Sequence, residues 1–496
     1  MNFPDLVVKM ENNMTTTENG APSYKSTNSH VLDYFSKAAA KRGCEDELIP
    51  LFDESFEEDK LLTMKIMFYS RDIRGGQGER SSFRTLLNHV AKTHPTLLMR
   101  NFDNIVKYGR WDDFYSLVET DLEDKAFEYL YDQLTQDMFD LANDKPVSLL
   151  AKWLKSENTS SKQSKELAAI TRKHFHMNSE KYRKTLSALR KKIDIVESKM
   201  SSKEWDAIEY QKVPSRAMKI YAGAFIKNDK ERYQEYLKLV SEGKCKINAS
   251  TLYPYDIVKA FINESSHMSE TEEGAYELMW NNLPNYFEDG EYNTLAVVDV
   301  SGSMYQAYRS SIRPIDVAIS LGIYMAEKNK GKLHGYFMSF SESPSMVKLT
   351  GNTLKEKIDN VLRSPMGYNT NIEKVFDLLL KTIIANKIPA EQVPKKLFII
   401  SDMQFDEAHN GESMDTTYES IVKKYMKYNV KLPELVFWNV AGRADTPATK
   451  DDYGTILVSG ASPSILSHAL NSRTMTPYEF MLEVLGAERY ESVVVD

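Results

Sequence analysis

The chain has 496 residues, of which 42% are hydrophobic and 27% charged, and a formal net charge of −8. This composition is ordinary for a soluble globular protein, and the length allows several domains. Two cysteines, Cys44 and Cys245, exclude a disulfide framework and fit a reducing compartment. No run approaches the roughly 18 apolar residues of a transmembrane helix, and the start lacks the basic and apolar regions of a signal peptide. We therefore expect an intracellular, cytoplasmic protein with no membrane role.

The first part of the chain reads as a disordered segment followed by helices. Residues 1–28 are polar and rich in Thr, Asn and Glu, which predicts disorder. From Ser29 the apolar residues follow helical spacing, and such patterns recur with short connections to about residue 290. This predicts an all-α domain over residues 29–290, built as a HEAT-like helical repeat of stacked pairs, although no fixed sequence period is present.

After Pro284 the pattern changes to short apolar runs that alternate with helical patterns. The runs have the length of strands and cover residues 294–300, 334–340, 396–400, 435–439 and 454–458. Residues 492–495 are a further candidate for an edge strand. Alternating strands and helices predict right-handed crossovers and a Rossmann-like, mostly parallel sheet over residues 291–496.

Polar residues follow two of these runs. Asp299, Ser301 and Ser303 end the first run in the pattern Asp-x-Ser-x-Ser, Thr370 stands in a loop that enters a helix, and Asp402 follows the 396–400 run. Because the ends of neighbouring parallel strands meet at one crevice, the five side chains are predicted to lie together. Two carboxylates and three hydroxyls suit Mg²⁺ or another hard divalent cation such as Mn²⁺. The alternative is that these residues only cap loops and helices.

These three segments resemble, in the same order, the metal-ion-dependent adhesion site of von Willebrand factor A domains. The resemblance implies that the five residues hold the metal and that a protein partner contributes a carboxylate to it. One departure is Met403, since the third loop of that family often reads Asp-Gly.

Longer stretches, among them residues 71–80, 107–113, 149–154, 182–190 and 401–406, resemble the family catalogued as domain of unknown function 2828. That resemblance covers nearly the whole chain, but the family name implies no function. The two-domain plan also resembles the Ro autoantigen, which joins a ring of helical repeats that binds structured RNA to a von Willebrand factor A domain. By analogy, this likeness implies structured RNA as a partner.

The helical region contains a basic block, since residues 145–259 carry 25 Lys and Arg against 13 Asp and Glu. Such a block is a candidate anion-binding surface, and a solvated face of long helices is the equally weighted alternative. The glycine-rich stretch 71–80 lacks the ending of a nucleotide phosphate loop, which favours a turn between helices over phosphate binding. The candidate RNA-binding residues are Arg71, Arg74, Arg80, Lys152, Lys181, Arg183, Lys184, Arg190, Lys191 and Lys212.

Together these patterns predict a non-enzymatic, metal-dependent binding protein of Ro type. Its helical domain would bind structured RNA, and its metal site would bind an acidic partner protein. The first alternative is a protein–protein adaptor with no RNA role. The second is a metal-dependent hydrolase, which the sequence disfavours because no general base accompanies the two carboxylates. The sequence makes no prediction of the oligomeric state.

Overall fold

The structure, a computed structural model, describes residues 12–264, 268–287, 292–307, 312–340, 343–363, 370–406, 416–442 and 445–495. Helices fill the N-terminal half, and a six-stranded sheet with flanking helices forms the C-terminal half. This confirms the predicted fold class of a helical domain followed by a Rossmann-like α/β domain. The predicted boundary at residue 290 falls within 288–291, which lie outside the described residues.

The helices of the N-terminal half pack against their sequence neighbours. Local capping explains several starts: the Ser29 hydroxyl accepts from the Leu32 N–H at 3.3 Å, and Asp59 accepts from the Leu62 N–H at 2.8 Å. The helices are α1 (His30–Lys37), α2 (Glu45–Glu58), α3 (Lys60–Arg71), α4 (Ser81–Thr93), α5 (Pro95–Met99), α6 (Phe102–Tyr108), α7 (Glu123–Ala142), α8 (Leu150–Trp153), α9 (Lys162–His174), α10 (Ser179–Ile193), α11 (Val196–Ser201), α12 (Ser215–Asn228), α13 (Lys230–Ser241), α14 (Pro254–Glu264) and α15 (Glu270–Asn281). Short 3₁₀ segments join some of them, notably Trp111–Leu117.

The segment expected to be disordered is ordered over residues 12–28. It forms an antiparallel hairpin of β1 (Met14–Thr16) and β2 (Pro22–Tyr24). The hairpin is held by the C-terminal half, since Thr17 Oγ1 donates to the Phe405 carbonyl at 2.6 Å and Asn19 Nδ2 donates to the Gln404 carbonyl at 2.8 Å. Its polar composition reflects these hydrogen bonds to a distant loop, which composition alone cannot distinguish from disorder. Residues 1–11 lie outside the described residues.

The sheet of the C-terminal half has the order β5-β4-β3-β6-β7-β8. Every neighbouring pair of strands is parallel except β4 and β5, which are antiparallel. Strand β5 lies at the edge of the sheet and was not predicted from the sequence. The strands are β3 (Thr294–Asp299), β4 (Tyr336–Phe340), β5 (Ser345–Lys348), β6 (Lys396–Ser401), β7 (Glu434–Asn439) and β8 (Thr455–Ser459). The helices are α16 (Pro314–Lys328), α17 (Leu354–Leu362), α18 (Ile372–Asn386), α19 (Thr417–Lys427), α20 (Ile465–Asn471) and α21 (Pro477–Leu485). All residues of the central strands β3 and β6 are buried, which explains their uninterrupted apolar runs.

The two halves share elements. Helix α1 packs on β8 and α21, so the first helix of the predicted repeat covers the sheet. Residues 492–495 do not form the predicted edge strand: Asn101 Nδ2 donates to the Val494 carbonyl at 2.8 Å, and Asn104 Nδ2 donates to the Ser492 carbonyl at 2.9 Å. Side-chain amides of α6 and the preceding turn therefore take the place of a neighbouring strand. Within the described residues, no helix combines the length and apolar character needed to cross a membrane.

Candidate metal site and basic surface

The register of the sheet places Asp299 beside Ser401 at the carboxyl ends of β3 and β6. Val298 pairs with Ile400, so the next residues of the two strands are neighbours. Asp299 is fully buried, and both of its carboxylate oxygens accept hydrogen bonds, Oδ1 from the Ser301 N–H at 2.9 Å and Oδ2 from the Ser401 hydroxyl at 2.6 Å. The residues predicted from the sequence did not include Ser401. Its position at the end of a buried strand, directly before Asp402, could have indicated it.

The two serines of the motif lie where β3 turns into a short 3₁₀ segment, Gly302–Tyr305. Ser301 is fully buried, and its hydroxyl lies 3.2 Å from the Ser303 hydroxyl. The structure therefore brings Asp299, Ser301 and Ser303 together at the end of one strand, as the sequence predicts.

Thr370 and Asp402 are joined through the loop that follows β6. The Thr370 N–H donates to Asp406 Oδ2 at 2.6 Å, and the Asp406 N–H returns a bond to the Thr370 carbonyl at 2.9 Å. Asp402 is 1% exposed, and its Oδ1 accepts from the Gln404 N–H at 3.1 Å. Thr370 is also 1% exposed, yet its hydroxyl has no hydrogen-bond partner among the described residues. Burying a hydroxyl without a hydrogen-bond partner lowers the stability of the fold, unless a bound ligand supplies the missing interaction.

The electrostatics of the strand ends also favours a bound ligand at this site. Burial, together with the negative charge of Asp402, raises the pKa of the Asp299 carboxyl well above its ordinary value. A divalent cation would offset both effects and would use the Thr370 oxygen. Within the described chain, no three His, Cys, Asp or Glu side chains come together as a metal-binding group, so a cation here would need the hydroxyls as well. The donor set therefore fits Mg²⁺ or Mn²⁺, with all ligands being oxygens.

Met403 occupies the position where the resembled family often has glycine. Its φ is 64°, in the left-handed region that glycine adopts without cost, and its side chain is 2% exposed. Met403 thus has the backbone conformation that a glycine at this position would favour. The Met403 N–H donates to the Ser401 hydroxyl at 3.0 Å, which fixes Ser401 against Asp299.

Two of the basic residues proposed for RNA have structural partners inside the helical half. Arg71 is 1% exposed, and its Nη2 lies 2.8 Å from Asp113 Oδ2. Arg190 donates to the carbonyls of Ala151 at 2.8 Å and Leu154 at 2.7 Å, so it ties α10 to α8. Their charge is therefore used to hold helices together.

The remaining candidates lie at the surface in several places. Arg74 is exposed beside the glycine-rich turn, Arg80 pairs with Asp112 at 2.7 Å, Lys152 lies over the Trp153 ring, and Lys212 pairs with Glu209. Four others lie on the exposed face of α10, opposite its buried residues Tyr182, Leu186 and Leu189: Lys181, Arg183, Lys184 and Lys191. The ten candidates thus do not converge on one surface, and α10 carries the largest group.

The comparisons with known proteins agree with the resemblance seen in the sequence. The model of Domain of unknown function (DUF2828) matches residues 17–144 and 128–289, and that of Domain of unknown function (DUF7788) matches residues 293–491. An uncharacterized protein of Acanthamoeba polyphaga mimivirus is 31% identical over 517 residues, covering 95% of this chain and 87% of that protein. The chain belongs to the DUF2828 family.

One solved structure is similar to this chain over most of its length. The crystal structure of the Deinococcus radiodurans RO (RSR) protein aligns with a TM-score of 0.45 and 12% sequence identity, covering 88% of this chain and 93% of that one. A likeness at that level has no bearing on what this member of the DUF2828 family binds, and the family descriptions assign no function. Function must therefore be argued from the sites themselves.

Proposed function

We propose that the protein is a non-enzymatic binding protein whose C-terminal half captures a carboxylate of a partner protein through a divalent cation. The cation, Mg²⁺ or Mn²⁺, would be held by Asp299, Ser301, Ser303, Thr370 and Asp402. The observation that carries the proposal is the buried Thr370 hydroxyl, which has no hydrogen-bond partner among the described residues, while the Thr370 N–H is bonded to Asp406, four residues after the buried Asp402.

The donor set supports binding more than catalysis. Two carboxylates beside three hydroxyls leave a divalent ion short of anionic ligands, so it would attract a further carboxylate. A metal-dependent hydrolase would also need a general base close to the metal-bound water. The Ro-type role and the adaptor role share this chemistry, and they differ only in whether the helical half binds RNA.

The test begins with Mn²⁺ titrated into EDTA-treated protein and followed by electron paramagnetic resonance. We expect one bound ion per chain in the wild type and none in Asp299→Ala, with Asp451→Ala, an exposed carboxylate of the same half, as the control. A pull-down from the native cell, with and without EDTA, should then recover proteins that require both the metal and Asp299. Stoichiometric Mn²⁺ binding by Asp299→Ala would contradict the proposal.

Structured RNA is the second candidate ligand, and the exposed basic face of α10 favours it. Lys181 and Lys191 are exposed there and have no ion-pair partner among the described residues. Replacing both with Gln should reduce the slope of log K against log salt for a labelled stem-loop RNA by about 1.5, as expected for two lost phosphate contacts. Lys230→Gln/Lys238→Gln on α13 is the matched control, because it removes the same charge from another exposed face. Equal slopes for both double variants would leave the adaptor role as the better account.

A further inference from the structure

A cavity of about 720 Å³ opens in the helical half between α4, the 3₁₀ segment Trp111–Leu117 and α9. It is separate from the metal site and from the exposed face of α10. Its volume lies within the roughly 300–1,000 Å³ range of ligand pockets in proteins. Four of its lining residues are cations, Arg80, Arg84, Lys92 and Lys155, whereas Asp112 is the only carboxylate among the described residues that line it.

The cations converge on a single oxygen atom. Arg80 Nη2 lies 2.7 Å, Arg84 Nη2 2.9 Å and Lys155 Nζ 3.6 Å from Asp112 Oδ2. Asp112 is 1% exposed, so one buried negative charge faces three positive ones. The next carboxylate, Asp113, shares Arg84 and also neutralises Arg71, so it does not remove the excess.

Lys92 adds a fourth charge with no counterpart. It is exposed at the cavity, and its side-chain ammonium has no hydrogen bond or ion pair with any described residue. The lining also includes the hydroxyl-bearing residues Thr85, Ser116 and Ser164, and Asn88, whose Nδ2 donates to the Ser116 carbonyl at 2.8 Å. An excess of cations together with hydroxyl and amide donors is the usual lining of a site for phosphate groups.

The aromatic residues of the cavity are already engaged. Lys155 Nζ lies 5.4 Å from the centre of the Tyr115 ring, and the Tyr115 hydroxyl lies 3.0 Å from Thr171 Oγ1. His89 Nε2 lies 2.6 Å from Asp53 Oδ1, and its ring meets the Phe52 ring edge-on. Both aromatic side chains thus already interact with neighbouring residues, which favours a ligand recognised mainly through its phosphates.

We propose that this cavity is a binding site for a compact anion with two or more phosphate groups, held by Arg80, Arg84, Lys92 and Lys155. The excess of cations over carboxylates requires more than one negative charge on the ligand, and the volume accommodates several phosphate groups. The site does not depend on the metal or on RNA binding by α10.

The probe is sodium tripolyphosphate, titrated calorimetrically into the full-length protein in EDTA at fixed ionic strength. Wild-type protein should bind one equivalent. Lys92→Gln should weaken binding about tenfold, the effect of losing one charge-assisted contact, without lowering the unfolding temperature. Lys238→Gln, the same exchange on exposed α13, should bind as the wild type does. Arg80→Gln should also weaken binding about tenfold, and Asp112 would keep Arg84 and Lys155 as partners.

Three outcomes would overturn the proposal. The first is that tripolyphosphate does not bind at millimolar concentration, and the second is that Lys92→Gln and Lys238→Gln weaken its binding equally. The third is that a labelled single-stranded RNA loses affinity on Lys92→Gln while tripolyphosphate neither binds nor competes. In that case the cavity would be part of an RNA path and not a site for a compact anion.

Discussion

The strand ends of the C-terminal sheet and the cavity of the helical half carry opposite excesses of charge. At the sheet, the buried carboxylates Asp299 and Asp402 lie in one hydroxyl-rich site. In the cavity, three cations surround the buried carboxylate of Asp112. In the cavity the cations outnumber the carboxylate, and at the sheet the charge of Asp402 helps to raise the pKa of Asp299, so a ligand of opposite charge would offset the excess in each place.

The ion pair that adjoins this cavity, and that shares Arg84 with it, shows what a balanced arrangement looks like. The Arg71 guanidinium and the Asp113 carboxylate are both buried, with Nε and Oδ2 2.9 Å apart. Their role is to hold α3 against the 3₁₀ segment Trp111–Leu117. The comparison suggests a rule for this molecule: substitutions in balanced clusters should affect folding, whereas those in unbalanced clusters should affect ligand binding.

The largest expected effect is on the balanced pair. Arg71→Met should lower the free energy of unfolding by about 3 kcal/mol, because Asp113 would lose its most deeply buried partner. Denaturant unfolding measures this loss. Arg74→Met, three residues away on an exposed side chain, should change stability by less than about 0.5 kcal/mol. If the Arg71→Met variant were stable but had lost affinity for RNA, Arg71 would be assigned to phosphate binding instead of to the fold.

The next effect concerns the carboxylate pair. Asp402→Asn should weaken Mn²⁺ binding about a hundredfold, because it removes one of two anionic ligands while keeping the shape of the side chain. Asp451→Asn, an exposed carboxylate of the same half, is the charge-matched control and should leave the affinity unchanged. The affinities can be compared by calorimetry at one pH. Near-equal affinities of wild type and Asp402→Asn would mean that the strand ends do not bind the metal through this carboxylate.

The contrast between the two regions also explains which predictions from sequence could succeed. Strand ends are constrained by register, so a motif after one buried run and an Asp after another must meet if the strands are neighbours. The positions of Asp299, Ser301 and Asp402 follow from that rule alone. Basic residues on helices have no such constraint, because packing decides which side faces inward. Arg190 lies within a run of surface-like lysines, yet its guanidinium is inserted between helices.

Contacts between segments that lie far apart in the sequence could not be predicted either. The cavity joins residues 80–92 with 112–118 and 155–167, which no local pattern connects. The polar hairpin of residues 14–24 and the tail at 492–495 were assigned the wrong local state, because in both cases the partner that determines the state is several hundred residues away. A polar composition predicts disorder correctly only for segments that have no such distant partner.

A smaller effect separates the ligand-binding role of Thr370 from a structural one. Thr370→Val should weaken Mn²⁺ binding about tenfold, because one oxygen ligand is lost. In EDTA its unfolding temperature should equal or exceed that of the wild type, since the hydroxyl makes no hydrogen bond with the described residues. Thr370→Ser keeps the oxygen and should retain most of the affinity. Destabilisation of the metal-free Val variant would assign the hydroxyl to the fold.

The smallest expected effect tests whether the hairpin supports the metal site. Thr17 Oγ1 donates to the Phe405 carbonyl and accepts from the Ala21 N–H at 3.0 Å, so it links the hairpin to the loop that contains Asp402. Thr17→Val should speed amide exchange at residues 403–406 and weaken Mn²⁺ binding about threefold, since one neutral hydrogen bond contributes about 1 kcal/mol. Thr16→Val, on the exposed neighbouring residue, is the control. If exchange quickens but affinity holds, the Thr370–Asp406 bonds and the bonds within the loop suffice to position it, and the hairpin serves only to cover it.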